Sequence, residues 1–427
     1  MRASPERCLA SLAALYTRRR HAVLRPSRWT ALAGAASAGR ARRHAARSGH
    51  AALLATGCMD GAEDCSAGVL RHSRRWEWMA RQSRHFFFGT VTWPLPTYAD
   101  TRPARMLRTE PHRVSSKHAM PVNDRRHAII EAPSNLGVRS TGVELLPEAL
   151  LRHGLAERLQ ARHAARVEVP GDHGVRDPDT LTLNAHAIAA WSPKLADAVA
   201  DVLDRDEFPV VLGGDCSILL GPALALKRRG RYGLLFIDGH ADFYQPEAEP
   251  YGEAASMDLA FATGHGPALL SDLEGLGPLV RAEDTVAFGF RDAEDQAEYG
   301  SQPLPDELLS YDLAKVRELG VEAAAAAAVE HLTRPGLQGF FIHVDADCLH
   351  DDVMPAVEYR LPDGLSIHEL RRTLDIALSS GMAIGIEVTV YNPDLDKDGE
   401  AGRRLADVLA DALSGKRVDP GEPGGSI

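Results

Sequence analysis

A chain of 427 residues with 59 acidic and 48 basic side chains, a net charge of −11 and a mean hydropathy of −0.20 has the composition of an ordinary globular protein with room for a large core. No run of about 18 apolar residues occurs, so neither a helical membrane span nor a membrane partner is expected. The five cysteines, Cys8, Cys58, Cys65, Cys216 and Cys348, follow no regular spacing. An odd, irregular set argues against a disulfide framework and for a reducing, cytoplasmic setting.

Charge is unevenly placed. Residues 1–119 hold 21 Lys+Arg against 7 Asp+Glu, whereas the remainder holds 27 against 52. Trp29, Trp76, Trp78 and Trp93 also lie in this first stretch, which shows no sustained periodicity. Three readings stay open, in this order: an extension ahead of a translation start at Met120, an Arg-rich organelle-targeting segment, and a basic arm for nucleic acid or acidic partners. The first leads because a strand pattern begins just after Met120. In each reading the segment is disordered and carries no chemistry. A nucleic-acid partner would rest on this stretch alone and is not expected.

The body is expected to span 120–415, followed by a flexible tail, 416–427, containing Pro and Gly. A short strand is expected at 128–130, then a loop at 135–139, a helix at 145–151 and a second strand at 167–170. Ser192-Pro193 reads as an N-cap and a first-turn proline, placing a helix at 192–204. Strand 209–213 enters a Gly213-Gly214 turn and leads to a helix at 217–228, with Cys216 at the junction. Strand 233–238 leads into Asp238, His240 and Asp242. An acidic loop at 244–256 and a helix at 257–264 follow. Strand 284–290 leads to an Arg291 loop, and the alanine run marks a helix at 322–332. Strand 339–345 ends at Asp345 and Asp347. Ser366 and Glu369 form a capping box for a helix at 366–379. Strand 382–390 carries Glu387, and a helix spans 400–414. Asp394-Leu395-Asp396-Lys397-Asp398-Gly399 opens like a calcium loop, but Leu405 stands where the bidentate glutamate is needed. Alternating strands and helices predict a three-layer α-β-α fold with a parallel sheet.

The ligand-bearing residues cluster at strand ends, where open α/β sheets bind ligands. Asp238, His240 and Asp242 alternate, so they share one face wherever strand geometry persists. Two hard carboxylates and an imidazole suit a divalent metal such as Mn²⁺. Asp345 and Asp347, two apart, suit a pair of ions roughly 3.5–4 Å apart. Glu387 is an isolated carboxylate in an apolar strand and needs a partner, a metal or a cationic substrate.

In order and spacing, Gly213-Gly214-Asp215-Cys216-Ser217, Asp238-Gly239-His240-Ala241-Asp242, Asp345-Ala346-Asp347-Cys348-Leu349-His350-Asp351 and Glu387 resemble the arginase/agmatinase (ureohydrolase) family. That family carries Gly-Gly-Asp-His-Ser, Asp-Ala-His-x-Asp, Asp-x-Asp-x-Leu-Asp-Pro and a late glutamate. The resemblance covers about residues 126–392. It implies an arginase-like fold and two Mn²⁺ ions. One would be held by Cys216, Asp238, Asp242 and Asp345, the other by Asp238, His240, Asp345 and Asp347. It also implies hydrolysis of a C–N bond in a small, linear, cationic guanidino or amidine compound, by a hydroxide held between the ions. Asp347 would accept a hydrogen bond from that hydroxide, and Glu387 would face the cationic head of the substrate. A homo-oligomer, trimer or hexamer, is expected on the same ground.

The departures bear on substrate and metal. Cys216 stands where the family has a histidine ligand, which opens the first position to another divalent metal. His350 replaces an aspartate and reads as structural. The segment 251–259 resembles Ser-Gly-Asn-Leu-His-Gly-Met-Pro-Leu, and its proton-transfer histidine falls on Ala255. His265, nearby in sequence, reads as a loop residue. Glu294 replaces an aspartate in the segment that contacts the substrate's amino group in arginases, so arginine itself is not the expected substrate. Two alternatives remain: a metal-binding or regulatory member that has lost catalysis, and a deacetylase-type amidohydrolase with one Zn²⁺. The retained Asp347 argues against the second.

Overall fold

The computed structural model describes residues 125–171 and 174–415. The expectations for 1–119 and 416–427 lie outside the described residues. Runs such as Leu234-Leu235-Phe236-Ile237 have no polar face, so a sheet built from them needs cover on both sides. The strands are β1 (His127–Ala132), β2 (Arg162–Arg166), β3 (Phe208–Gly213), β4 (Gly233–Ile237), β5 (Thr285–Phe288), β6 (Leu309–Tyr311), β7 (Phe340–Asp345) and β8 (Ala383–Thr389). They form one sheet in the order β2-β1-β3-β8-β7-β4-β5-β6, and every pairing is parallel.

Alternate strand residues feed two separate cores. Leu235, Ile237, Ile342 and Ile386 pack under the Val321–Leu332, Ile367–Ser379 and Glu400–Leu413 helices. Leu234, Phe236, Phe341 and Val211 pack under the Ala185–Leu203, Leu220–Arg229 and Asp258–Ala262 helices. The expected α-β-α layering is therefore present. The Ser366–Glu369 capping box is also in place, with the Ser366 hydroxyl accepting from the Glu369 amide at 3.2 Å.

Some expected boundaries are corrected. The helix expected at 192–204 begins a full two turns earlier, as Ala185–Leu203, with Pro193 inside it. Ser192 does not cap: its hydroxyl donates back to the Ile188 carbonyl at 2.8 Å. Ala185, Ile188 and Trp191 are buried with Leu195, Val199 and Val202. Packing of that continuous seam outweighs the disruption proline causes. The second strand is Arg162–Arg166, not 167–170. Its polar sequence belongs to a sheet edge, where charges discourage further strand pairing. Arg166 Nη1 meets Glu131 Oε2 at 2.6 Å, and Arg162 Nη2 meets Glu207 Oε2 at 2.5 Å.

Candidate metal centre

The four central neighbours β3, β8, β7 and β4 bring their carboxyl ends to one edge of the sheet. Cys216 arrives first, on a turn clamped from below. Asp215 Oδ1 accepts the Ser217 amide at 2.9 Å, and Ser134 Oγ donates to Asp215 Oδ2 at 2.9 Å. A side chain on Gly214 would overlap the Ser134 carbonyl oxygen, so the Gly-Gly turn is a steric necessity. Gly214→Ala is expected to destabilise the fold by about 3 kcal/mol through overpacking, read from the urea unfolding midpoint.

β4 ends at Ile237, so the strand alternation expected for Asp238, His240 and Asp242 does not persist through them. Asp238 Oδ1 instead accepts the His240 amide at 2.7 Å. His240 Nδ1 lies 2.8 Å from Asp347 Oδ2 and 3.8 Å from Asp238 Oδ1. Asp242 adopts φ of 45°, a left-handed conformation that aspartate tolerates better than most residues. Asp345 Oδ1 accepts the Asp347 amide at 2.7 Å, and its Oδ2 accepts the Cys216 thiol at 2.6 Å.

Two groups of donor atoms result, each drawn together within 4.8 Å: Cys216, Asp238, His343 and Asp345, and Asp238, His240 and Asp347. Asp238 belongs to both. Asp242 joins neither, and Asp345 joins only the first, so the pattern differs from the expected sets at those two residues. His343 was not expected at the site. Strand alternation could have flagged it, since it lies two residues before Asp345 on the same face of β7.

The pairing register fixes His343. It stands opposite Phe236 on β4 and Glu387 on β8. Its ring stacks on Phe236, centroids 4.5 Å apart at 7°, and Nδ1 pairs with Glu387 Oε1 at 2.8 Å. Nε2 faces Asp238 Oδ2 at 3.7 Å, too far for a hydrogen bond, and neither atom has a partner.

The electrostatics follow from burial. Six carboxylates are buried here: Asp238, Asp242, Asp258, Asp345, Asp347 and Glu387. Burial pushes the Asp345 carboxyl well up, and the charges of Asp347 and Asp238 push it further. Asp242 is raised by burial first and neighbouring aspartates second, and Asp258 by burial first, with His343 opposing and Asp238 and Glu387 adding to the rise. Burial likewise pushes the Cys216 thiol up, followed by Asp345 and Asp238. Burial opposes a charge on His240, but Asp347 overrides it and lifts the imidazole to about 9. Burial would raise Asp347, yet the charge and hydrogen bond of His240 hold it well below the usual carboxylate range. These six carboxyl groups, with Asp292 beside them, against His240, His343 and Arg291 leave an excess of buried acidic groups. Together with the orphaned Asp238 Oδ2 and His343 Nε2, that excess fits a pair of divalent cations.

The remaining expected residues fall as follows. Glu387 is brought to His343 inside the sheet, not to an open face, and burial raises its carboxyl. Glu294 is exposed on the Ala293–Tyr299 helix, which has no buried residue. The acidic side chain that this segment turns inward is Asp292, 2 % exposed, whose charge acts on His240. His350 Nδ1 accepts the Asp352 amide at 3.1 Å, within a loop. Ala255 sits beside the 135–139 loop, its amide donating to Gly137 O at 3.1 Å. His265 is engaged with Thr263 Oγ1 at 3.2 Å and with the Phe243 ring. Arg291 is folded beneath the site, donating from Nη2 to the Asp347 and Leu361 carbonyls at 3.1 and 3.2 Å. Gly239 leaves the space this guanidinium fills.

A wholly parallel sheet, covered on both faces and gathering carboxylates, imidazoles and a thiol at its carboxyl edge, defines an α/β protein with a candidate metal centre. Residues 125–414 match the model of the arginase family, and the chain belongs to that family. It is 28% identical over 303 residues to the arginase of Bacillus subtilis, covering 69% of this chain and 99% of that protein. A crystal structure of the arginase from Bacillus caldovelox superposes with a TM-score of 0.62 at 25% identity, covering 69% of this chain and all of that one. The agmatine ureohydrolase of Thermoplasma volcanium shares the fold, with a TM-score of 0.50 at 18% identity over 69% of this chain and 90% of that one.

Proposed function

We propose that this protein is a metal-dependent hydrolase that cleaves a C–N bond in a linear guanidino or amidine compound. The observation that carries the reading is Asp238, shared between two donor groups at the carboxyl edge of an arginase-family sheet. Two divalent ions bound there would supply a Lewis-acidic centre that lowers the pKa of water and stabilises charge on the attacked carbon. The chain's own residues do the rest. Asp347, held ionised by His240, accepts a hydrogen bond from the attacking water. Cys216 and Asp345 close the buried side and exclude water. His240, with 19 % of its side chain exposed, marks the side from which a substrate approaches.

Arginine is a poor candidate for that substrate. Glu294 stands in solvent, and Ala255 offers no group for proton transfer. The test is urea release by the full chain, loaded with Mn²⁺ or Zn²⁺, across a panel of guanidino and amidine compounds. Turnover of a compound other than arginine is expected. A metal-loaded protein that hydrolyses none of them would contradict the reading. It would favour a binding or regulatory role, which the loss of the histidine at Ala255 and the engagement of Glu387 by His343 also support.

Restoring histidine chemistry gives a second prediction. Cys216→His combined with Ala255→His is expected to raise guanidine hydrolysis by about 10²-fold, the lower end of what a positioned proton shuttle contributes. Steady-state turnover against the unmodified chain checks it. Deleting residues 1–119 is expected to leave metal content and turnover unchanged, consistent with a site built wholly from the later residues.

A further inference from the structure

Among the buried groups, His343 and Glu387 carry unexplained atoms. Among the described residues, His343 Nε2 and Glu387 Oε2 have no hydrogen-bond partner, and both side chains are wholly buried. An imidazole in the interior of a strand, stacked on Phe236 and held at Nδ1 by a carboxylate, has a fixed ring orientation. Metal-ligating histidines are oriented in this way, with one nitrogen tied to a carboxylate and the other left for the ion. The free nitrogen here points toward Asp238 Oδ2, itself without a partner, and into the group completed by Cys216 and Asp345.

We propose that the first ion is held by Cys216, Asp238, His343 and Asp345, with Glu387 positioning His343, and that this set takes Zn²⁺ in preference to Mn²⁺. The proposal rests on the metal-dependent reading above and deepens it. Burial opposes a charge on His343, but Asp238 and Glu387 favour its protonated form in the metal-free chain, so ion binding releases the Nε2 proton to solvent. With Nδ1–H donating to Glu387, Nε2 then presents its lone pair to the ion. Cys216 gives up its proton, now shared with Asp345 Oδ2, to solvent as it becomes a thiolate ligand. One sulfur, one nitrogen and two carboxylate oxygens form a four-donor set of the kind zinc accepts, whereas Mn²⁺ favours oxygen-rich sites. Asp242 lies outside this donor group and is not required. The second group, Asp238, His240 and Asp347, contains no sulfur and remains suited to a harder ion.

The full chain is stripped with chelator and reloaded with Zn²⁺, with Co²⁺, or with equal Zn²⁺ and Mn²⁺. In competition, zinc is expected to fill at least one position per chain. X-ray absorption of the protein loaded with a single zinc per chain is expected to show sulfur and one imidazole on the same ion. The Co²⁺ protein is expected to show a thiolate charge-transfer band that Cys216→Ser abolishes. Glu387→Gln is expected to weaken Co²⁺ binding at that position roughly 10–100-fold, whereas Asp242→Asn leaves the band in place. Sulfur without any imidazole at that stoichiometry would overturn the assignment. So would a band lost in Asp242→Asn but unaffected, in intensity and affinity, by Glu387→Gln and His343→Asn. The spectrum of the unmodified chain decides the matter even if a variant fails to fold. Failure of the wider reading looks different, because a chain that binds neither Zn²⁺, Co²⁺ nor Mn²⁺ shows no spectrum at all.

Discussion

Asp238→Asn is expected to abolish binding of both ions, because it removes the one carboxylate common to the two donor groups. The variant separates two roles of a buried charge. In the metal-free chain Asp238 is 1 % exposed and sits among five other buried carboxylates, so its ionised form is held against burial and against Asp347. Neutralising it relieves that repulsion, and the metal-free variant is expected to melt no lower than the metal-free parent near neutral pH. The loaded parent, in contrast, gains about 4 kcal/mol per ion at a free concentration of a thousand times Kd. The variant gains none of this. Melting curves with and without metal check both halves. A variant that keeps its metal-induced shift would remove Asp238 from its shared position.

The second large effect is the pH dependence of the metal-free chain. Carboxyls at Asp242, Asp258 and Asp345 are raised by burial first and then by neighbouring carboxylates, Asp238 among them in each case. The folded state therefore binds protons that the unfolded state has lost, and stability falls as pH rises above about 4. His240, raised to about 9, acts in the same direction. Its contribution is complete below the ordinary histidine value near 6.5 and is lost as pH rises through 9. Asp347 is depressed, so its stabilisation is lost only on acidification below the ordinary aspartate range, outside this window. The metal-free protein is thus expected to melt at a lower temperature at pH 8.5 than at pH 5.5. Added divalent metal should protect it more at the higher pH, where it replaces protons at the same ligands. A metal-free melting temperature that climbs across this interval would contradict the electrostatics of the site.

Much of this architecture could be read from residue order. Apolar runs at Leu234–Ile237 and Phe340–Ile342 announced strands buried on both faces, and the structure covers both faces with helices. Ser366 and Glu369 announced a helix start because their capping chemistry is local. What escaped was decided by distant contacts. Pro193 looked like a beginning, but Trp191 and Ile188 bury in the same seam as Leu195 and carry the helix back to Ala185. β6 has only three residues, Leu309–Tyr311, too few for a periodic signal. Glu387 was recognisable as a buried carboxylate in need of a partner, but its partner depends on the β7–β8 register, which places it opposite His343. Asp258, in a segment where the resembling family has proline, revealed itself only through burial with no hydrogen bond to either oxygen. The sequence marks ligand types well at strand ends. It marks them poorly inside strands, where a polar residue is read as an exception to the apolar pattern.

This sheet edge is expected to hold two divalent ions. Metal content per chain tests it most directly, on the full protein purified under reducing conditions, equilibrated with Mn²⁺ or Zn²⁺ and desalted before elemental analysis. About two ions per chain is the expected result. A folded chain that retains no ion of either kind would contradict the account, because six buried carboxylates would then lack the cations that explain them.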